Sequence, residues 1–237
     1  MKKIIALGLL SFVLFALFKT PVALLLPYIN KNPYFQAHHI SGHIFSANIA
    51  TMGGIDTLTY QMNFWQLLLA NVSVEFEAKK GNSVVRGEVV LDLISEQVRF
   101  NDINGVVHLP LFQQYLPVLS TVEPQGKLRI IGINGIWNDV QNNPVPKQLF
   151  GALELTQLNL LGQAFGDYQL NVATQLSNIV GNIISKASTP TDTRIKFNLA
   201  TAKKQLSIAG KILGKNANTK AIVEQLGIAN IQRTIRY

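Results

Sequence analysis

Hydrophobic and polar residues alternate along much of the chain from residue 40 onward. In residues 71–78, Val72, Val74 and Phe76 fall on one side of an extended chain, and Ser73 and Glu75 fall on the other. A period of two is typical of a β-strand with one buried face. The pattern recurs in residues 85–93, 127–130, 168–174, 194–199, 206–212 and 229–237. Short polar turns separate several of these stretches, so the sequence predicts a mainly β fold, an antiparallel meander of roughly ten strands.

The apolar face of these strands needs a cover. Helical patterns are few and short: residues 65–70, 109–116 and 218–227, with Asn218 or Thr219 as a cap and Gly227 as a stop for the last. An apolar sheet of this size is not left in water. Either it folds on itself as a sandwich or closed barrel, or it forms a trough that accepts acyl chains. The side chains predicted to form this core face or groove are Val72, Val74, Phe76, Val85, Val89, Leu91, Leu170, Val172, Ile195 and Phe197.

An uncharged apolar run occupies residues 4–18, between Lys3 and Lys19. A helix over this run is about 22 Å long, shorter than a hydrocarbon core of roughly 30 Å. The apolar character resumes at residues 22–26, which makes the span long enough. A small-residue cleavage site of the signal-peptide type is missing. We therefore predict a single-pass, uncleaved transmembrane anchor over residues 1–28.

The rest of the chain is predicted to lie on the far side of that membrane. Lys2, Lys3 and the terminal amine favour a cytoplasmic N-terminus, so the domain would face the periplasm of a Gram-negative cell. Residues 29–39 are predicted to be a juxtamembrane linker because proline and asparagine break helices. Residues 40–237 then form the periplasmic β domain, and the turn-rich stretch 138–146 is where two lobes of it would divide.

Charge and composition exclude several functions. Lys+Arg 21 against Asp+Glu 13 gives a net charge of +8. Such a charge suits an anionic membrane surface, an acidic partner or nucleic acid. The basic residues are scattered and no aromatic-rich basic motif accompanies them, so we expect a solvated basic surface and no nucleic-acid partner. The chain has no cysteine, which rules out disulfides, thiolate metal sites and a cysteine nucleophile.

Residues that could carry chemistry are sparse. His38, His39 and His43 form the densest cluster, but residues 1–54 contain no acid that would complete a metal shell, so we predict no metal site and no cofactor. No catalytic or phosphate-binding motif is present, and we predict that the protein is not an enzyme. Trp65 and Trp137 are either β-core residues or anchors for a partner, and the core interpretation is favoured in a sheet-rich domain.

Several short motifs, taken in order, resemble a known family. Residues 41–47, SGHIFSA, resemble the Gly-x-x-Trp-Ser-Gly-x-Ala segment of type II secretion system protein N. The matching residues are Gly42, Phe45, Ser46 and Ala47, although Phe45 stands where tryptophan is usual and Ala47 replaces a common glycine. Residues 58–60 and the leucine block 67–70 follow in the family's order. Residues 109–117, 124–129 and 151–155 are similar to its later landmarks, so the resemblance covers nearly the whole chain.

This resemblance implies a function that composition and periodicity do not. The protein would be an accessory of the type II secretion system in the inner membrane, with a structural or interaction role. Its partners would be other inner-membrane subunits of that system. The resemblance also implies a fold similar to the lipid-handling AsmA type, which favours a curved, incompletely closed sheet. The alternative function is therefore a periplasmic protein that binds or transfers phospholipid through an apolar groove.

Overall fold

The structure is a computed structural model that describes residues 19–25, 27, 35–53, 55–67, 69–113, 123–138, 145–160, 162–175, 178–187, 189–200, 205–225, 227 and 229–236. These residues form a mainly β fold, as predicted. The strands are β1 Phe35–His43, β2 Ser46–Gly53, β3 Thr57–Asn63, β4 Asn71–Lys80, β5 Ser83–Asp92, β6 Gln97–His108, β7 Gln125–Asn138, β8 Gln148–Leu160, β9 Gln163–Gln175, β10 Asn178–Ser185, β11 Thr191–Ala200, β12 Gln205–Gly214 and β13 Asn230–Arg236. A 3₁₀ segment spans Val22–Leu25, and the α-helices are α1 Phe64–Leu67, α2 Pro110–Gln113 and α3 Ala217–Gln225.

The chain divides into two compact units, Met1–Ile94 and Ser95–Tyr237. In the first unit, β1 to β5 pair in sequence order, each antiparallel to the next. In the second unit, β6 to β13 do the same. The predicted antiparallel meander is therefore confirmed. The predicted division near residues 138–146 stays a prediction, since residues 139–144 lie outside the described ranges.

Several strands have no clear alternation in the sequence, and local irregularity explains this. The register of β6 shifts between Phe100 and Ile103 and again before Gly105. The register of β8 shifts between Leu155 and Leu158. Each shift moves the following residues relative to the two faces of the sheet, which breaks a period of two. Strand β1 begins at Phe35, inside the predicted linker, because its backbone pairs with β2 from Phe35 onward.

Turns and caps follow the predicted chemistry with one difference. The two-residue turn between β4 and β5 contains Gly81 at φ +53°, as the hairpin prediction requires. Helix α3 is followed by Gly227 at φ +64°, the predicted left-handed stop. Its cap is Asn216 rather than Asn218 or Thr219, since the Asn216 Oδ1 accepts a hydrogen bond from the Thr219 amide at 2.8 Å. The Thr219 side chain is buried instead.

The core of the first unit covers one end of its apolar face. Val22, Ala37, Ala47 and Ile49 are buried together. Ile40, Leu58 and Tyr60 pack against them. The Tyr60 hydroxyl donates a hydrogen bond to the Ile44 carbonyl at 2.9 Å. The 3₁₀ segment therefore covers the sheet where β1, β2 and β3 meet.

This packing corrects part of the predicted anchor. Val22–Leu25 was predicted to extend the membrane span, but it is a 3₁₀ segment whose Val22 is buried against the sheet. None of the helices that the structure describes is both long enough and apolar enough to cross a membrane. The main apolar run, residues 4–18, lies outside the described residues, and the anchor stays a prediction there.

The second unit has two core clusters. In one, Val145, Val172 and Ile179 are buried, and Leu149, Leu170, Phe197 and Leu199 pack around them. In the other, Val223 of α3 is buried with Phe165 and Tyr168 of β9. Helix α3 thus covers one part of the apolar face and the residues before β8 cover another.

Candidate functional site

Six of the predicted face residues lie in the first unit, on β4 and β5. Val72 pairs with Leu91 and Val74 with Val89, so these side chains share one face of the sheet. Phe76 and Val85 continue the same rows, and all six side chains are half-buried. The opposite face is less polar than predicted. Ser73 is buried there with Val90, its partner across the strands, and donates a hydrogen bond to the Glu88 carboxylate at 2.5 Å.

The other four predicted residues lie in the second unit. Leu170 and Ile195 each pair with Ile183 of β10. Val172 and Phe197 each pair with Gly181, and a Cβ built at Gly181 would lie 2.3 Å from the Phe197 ring. Because Gly181 has no side chain, the Phe197 ring can occupy the space beside it. Val172 and Ile195 are buried, whereas Leu170 and Phe197 are half-buried.

A cavity of about 290 Å³ lies on this apolar face of the second unit. It is comparable to the smaller ligand pockets of proteins, and apolar linings are typical of such pockets. Its lining is Leu128, Leu153, Leu155, Leu158, Leu160, Phe165, Tyr168, Leu170, Ile183, Thr193, Ile195 and Ile212. Of these residues, only Leu170 and Ile195 are among the ten predicted face residues, although Leu128, Tyr168 and Ile212 lie in predicted strands.

A bulge in β8 explains why the leucines of the cavity were missed. Gln157 has φ +56°, and its amide donates a hydrogen bond to the Asp167 carboxylate at 2.8 Å. The register shift at this point places Leu155 and Leu158 in the same cavity although they are three residues apart. A regular strand would place them on opposite faces. Among the β8 residues that line the cavity, Leu153 and Leu155 follow the period of two that indicates a shared face of a strand.

The described side chains that line this cavity carry two polar groups, the hydroxyls of Tyr168 and Thr193. The Tyr168 hydroxyl donates to the Phe165 carbonyl at 3.1 Å and lies 2.6 Å from the Thr191 hydroxyl. Burial raises the pKa of Tyr168, and the Thr191 and Thr193 hydroxyls oppose part of that rise. Thr193 is 2 % exposed, so both hydroxyl-bearing residues are buried in the lining.

A second, larger cavity of about 570 Å³ is lined by both polar and apolar residues of the second unit. Its polar side chains are Asn171, Gln175, Asn182, Lys196, Asn198 and Ser207. None of the described residues that line it carries a carboxylate that could pair with Lys196. Among these residues there is therefore neither a metal-binding set nor an acid–base pair.

The remaining predicted residues lie apart from both cavities. His38, His39 and His43 are exposed on β1, and no cluster of potential metal ligands occurs among the described residues. Trp137 is half-buried, with its ring 5.9 Å from that of Phe100. Trp65 is not a core residue, because its side chain is largely exposed.

The residues that carry the family resemblance form the β1–β2 hairpin. Gly42 has φ +107°, and a Cβ there would lie 2.3 Å from the Ser46 carbonyl oxygen. Phe45 packs edge-on against Phe64 at 5.6 Å. Ser46 is exposed, and Ala47 is buried in the core. The motif therefore combines a required glycine with a buried small residue.

Two later landmarks also contain required glycines. Gly126 has φ +133° and Gly151 has φ +140°. A Cβ at Gly126 would lie 2.8 Å from the Thr156 carbonyl oxygen, and one at Gly151 would lie 2.8 Å from that of Gly132. Both glycines adjoin register shifts in the pairing of β7 with β8, where close backbone approach is common.

Comparison with protein-family models, curated proteins and solved structures finds no match to this chain.

Proposed function

We propose that this protein is a non-catalytic accessory of the type II secretion system in the inner membrane. The observation that carries the proposal is the position of the three landmark glycines, Gly42, Gly126 and Gly151. Each lies at positive φ where a side chain would collide with backbone. A matching glycine at a position where the backbone conformation requires glycine supports the family resemblance more strongly than a matching residue at a surface position that tolerates substitution.

The role proposed is structural, and the contacts would be made with other inner-membrane subunits. Strand β13 is the last strand of the second unit and pairs with β12 on one side. The exposed edge of a sheet can receive a strand from a partner through main-chain hydrogen bonds. We expect the partner contacts at such an edge and along the anchor.

Deletion and pull-down experiments test the secretion role. Deleting the gene in its native host should reduce the amount of type II substrates outside the cell, and the full chain supplied in trans should restore it. Tagged full chain, crosslinked mildly before extraction, should recover subunits of the secretion platform. Unchanged secretion of every substrate, or recovery of no secretion subunit, would remove the proposal.

The membrane location is proposed with it and has its own test. An uncleaved anchor predicts an intact mass that starts at Met1 and a protein that stays in the membrane after carbonate extraction. Alkaline phosphatase fused after Tyr237 should be active if the C-terminus is periplasmic. A mass that starts within residues 20–32 would show cleavage, and an inactive fusion would reverse the topology.

Lipid handling is the second candidate, and the apolar cavity of the second unit favours it. A wall of leucine and isoleucine side chains is suited to an alkyl chain, because each buried methylene group stabilises a complex by about 0.8 kcal/mol. An open, curved sheet that leaves this cavity accessible is the arrangement that the lipid function requires.

Matched substitutions on one strand test this candidate. Ile183 lines the cavity, whereas Ile184 is exposed on the opposite face. Full chain extracted in mild detergent should copurify phospholipid, Ile183→Trp should lower the amount by filling the cavity, and Ile184→Trp should not. Val74→Glu tests the corresponding face of the first unit. A folded wild type that copurifies no phospholipid would remove the lipid function and leave the secretion role unaffected.

A further inference from the structure

One end of the first unit exposes large apolar side chains. Trp65 is 73 % exposed, Leu69 is 69 % exposed, Leu93 is 52 % exposed and Ile94 is 83 % exposed. Single exposed apolar residues are ordinary on a protein surface. A group of them on neighbouring turns marks a contact with something apolar. We call these four residues the turn patch.

The antiparallel order of the strands brings these residues together. Alternate turns of a meander lie at the same end of its sheet, so the turns after β1, β3 and β5 are neighbours. The Met62 amide donates to the Phe45 carbonyl at 2.6 Å, and the Phe64 ring lies between those of Phe45 and Trp65. The Leu93 amide donates to the Ala70 carbonyl at 2.9 Å. These contacts connect the three turns.

Local hydrogen bonds hold the patch in its exposed position. The Asn63 Oδ1 accepts a bond from the Trp65 amide at 3.0 Å, and the Leu69 carbonyl accepts one from the Asn71 amide group at 3.2 Å. The Asp92 Oδ1 accepts a bond from the Ile94 amide at 2.9 Å. The side chains are therefore presented by ordered turns.

The chain enters the first unit at this same end. The Ile44 amide donates to the Thr20 carbonyl at 3.1 Å, and Pro21 forms a bridge with His43. Lys19 comes directly before this point, and the apolar run of residues 4–18 directly before Lys19. The predicted anchor thus joins the domain next to the turn patch.

We propose that the turn patch contacts the bilayer interface beside the anchor. Because Thr20, Pro21 and Val22 contact the domain, the apolar run that remains for the membrane is about 22 Å long as a helix, against roughly 30 Å of hydrocarbon. Such a mismatch thins the bilayer locally and draws the flanking residues toward it. Tryptophan and large aliphatic side chains suit the interface, so the domain would rest on the membrane through these turns.

The contact is apolar rather than electrostatic. Residues 64–70 and 93–95 contain no charged side chain, and Glu96, the last residue of the turn after β5, is acidic rather than basic. Attraction to anionic lipid would require lysine or arginine at the contact. The binding should therefore be the same in neutral and in anionic bilayers. The inference rests on the predicted anchor and is independent of the secretion role.

Tryptophan fluorescence tests the contact, because the chain contains only two tryptophans. Full chain with Trp137→Phe keeps Trp65 as the reporter and is reconstituted into phosphatidylcholine vesicles. Lipids brominated near the headgroup should quench Trp65 by at least about twofold, as expected for an indole at the interface. The quenching should not change when phosphatidylglycerol is added. The reciprocal variant, Trp65→Phe, reports on Trp137 beside Phe100 and should show little quenching.

Substitutions in the patch complete the test. Leu69→Asn with Ile94→Asn should weaken the quenching of Trp65, whereas Leu213→Asn, which changes an exposed leucine of the second unit, should not. An intact mass that starts at Met1 confirms beforehand that the anchor is present. Acrylamide quenching of Trp65 that lipid does not reduce would overturn the proposal. So would a photocrosslinker at Ile94 that captures a protein subunit in cells instead of lipid.

Discussion

The two units of the chain cover the same kind of apolar face in different ways. In the first unit, Val22 from the 3₁₀ segment packs where β1, β2 and β3 meet, and the face of β4 and β5 stays half-buried. In the second unit, Val145 and Val223 cover separate parts of the face, and a cavity of about 290 Å³ lies on it. Similar alternation therefore accompanies one buried cluster in the first unit, and two buried clusters with a cavity in the second.

Truncating a buried isoleucine should give the largest loss in either unit. Ile49→Ala in the first and Ile179→Ala in the second should each lower the free energy of unfolding by about 2–5 kcal/mol, because each leaves a hole in a buried cluster. Hydrogen exchange followed by mass spectrometry should locate the lost protection in the strands around each site. Ile184→Ala is the exposed control. Equal losses at all three positions would contradict the assigned cores.

Replacing a required glycine should have the next largest effect. Gly42→Ala in the first unit and Gly151→Ala in the second force a side chain into positive φ and against backbone, at a cost of about 1–3 kcal/mol. Gly81→Ala is the matched control, since Gly81 also has positive φ but has no atom within 4 Å of the added Cβ. Exchange protection of the β1–β2 hairpin and of β8 measures the difference. If Gly81→Ala lowered stability as much as Gly42→Ala does, contact between the added Cβ and the backbone would not be the cause of the loss.

Removing a tyrosine hydroxyl should destabilise the second unit more than the first. Tyr168→Phe in the second unit leaves the buried Thr191 hydroxyl without its partner and should cost about 1–3 kcal/mol. Tyr60→Phe in the first unit removes one bond to the Ile44 carbonyl and should cost about 1 kcal/mol. Unfolding monitored by exchange protection compares the two variants. A larger loss for Tyr60→Phe would contradict the greater burial assigned to Tyr168.

The same tyrosines set a pH dependence. Burial raises the pKa of Tyr168 and of Tyr60, so each phenol ionises more easily in the unfolded chain than in the folded one. Their contribution to stability is complete below pH about 10 and is lost as the pH rises through the folded values. Tyr168→Phe should reduce the slope of stability against pH above 10. If the slope of stability against pH above 10 were unchanged in the double variant Tyr168→Phe with Tyr60→Phe, ionisation of these tyrosines would not be its cause.

Surface ion pairs should have the smallest effect, again with a difference between units. In the second unit, Glu154 lies 3.4 Å from the Lys186 amine and 4.0 Å from the Arg129 guanidinium. Glu154→Gln should cost under about 1 kcal/mol, and the cost should shrink in high salt. In the first unit, the Glu77–Lys79 pair is more exposed, and Glu77→Gln should change stability less. A loss for Glu154→Gln that does not depend on salt would point to packing instead.

Much of the fold followed from local patterns. The alternation of Val72, Val74 and Phe76 predicted β4, and the turn with Gly81 predicted its pairing with β5. These features depend on neighbouring residues, so the sequence shows them directly. Strand β8 was not predicted, because the bulge at Gln157 depends on a hydrogen bond to Asp167 of β9. The four lining residues of β8, Leu153, Leu155, Leu158 and Leu160, were missed for the same reason.

By itself, the sequence determined that the protein is mainly β, that its strands pair as an antiparallel meander, and that residues 4–18 form an apolar run. Period, turn chemistry and composition are local properties, and they are sufficient for those conclusions. Only the tertiary structure decided that Val22 packs on the sheet, that Trp65 is exposed and that Leu155 and Leu158 line one cavity. Those outcomes depend on which segments meet in space, and pairing register and bulges determine that through contacts between residues distant in the sequence.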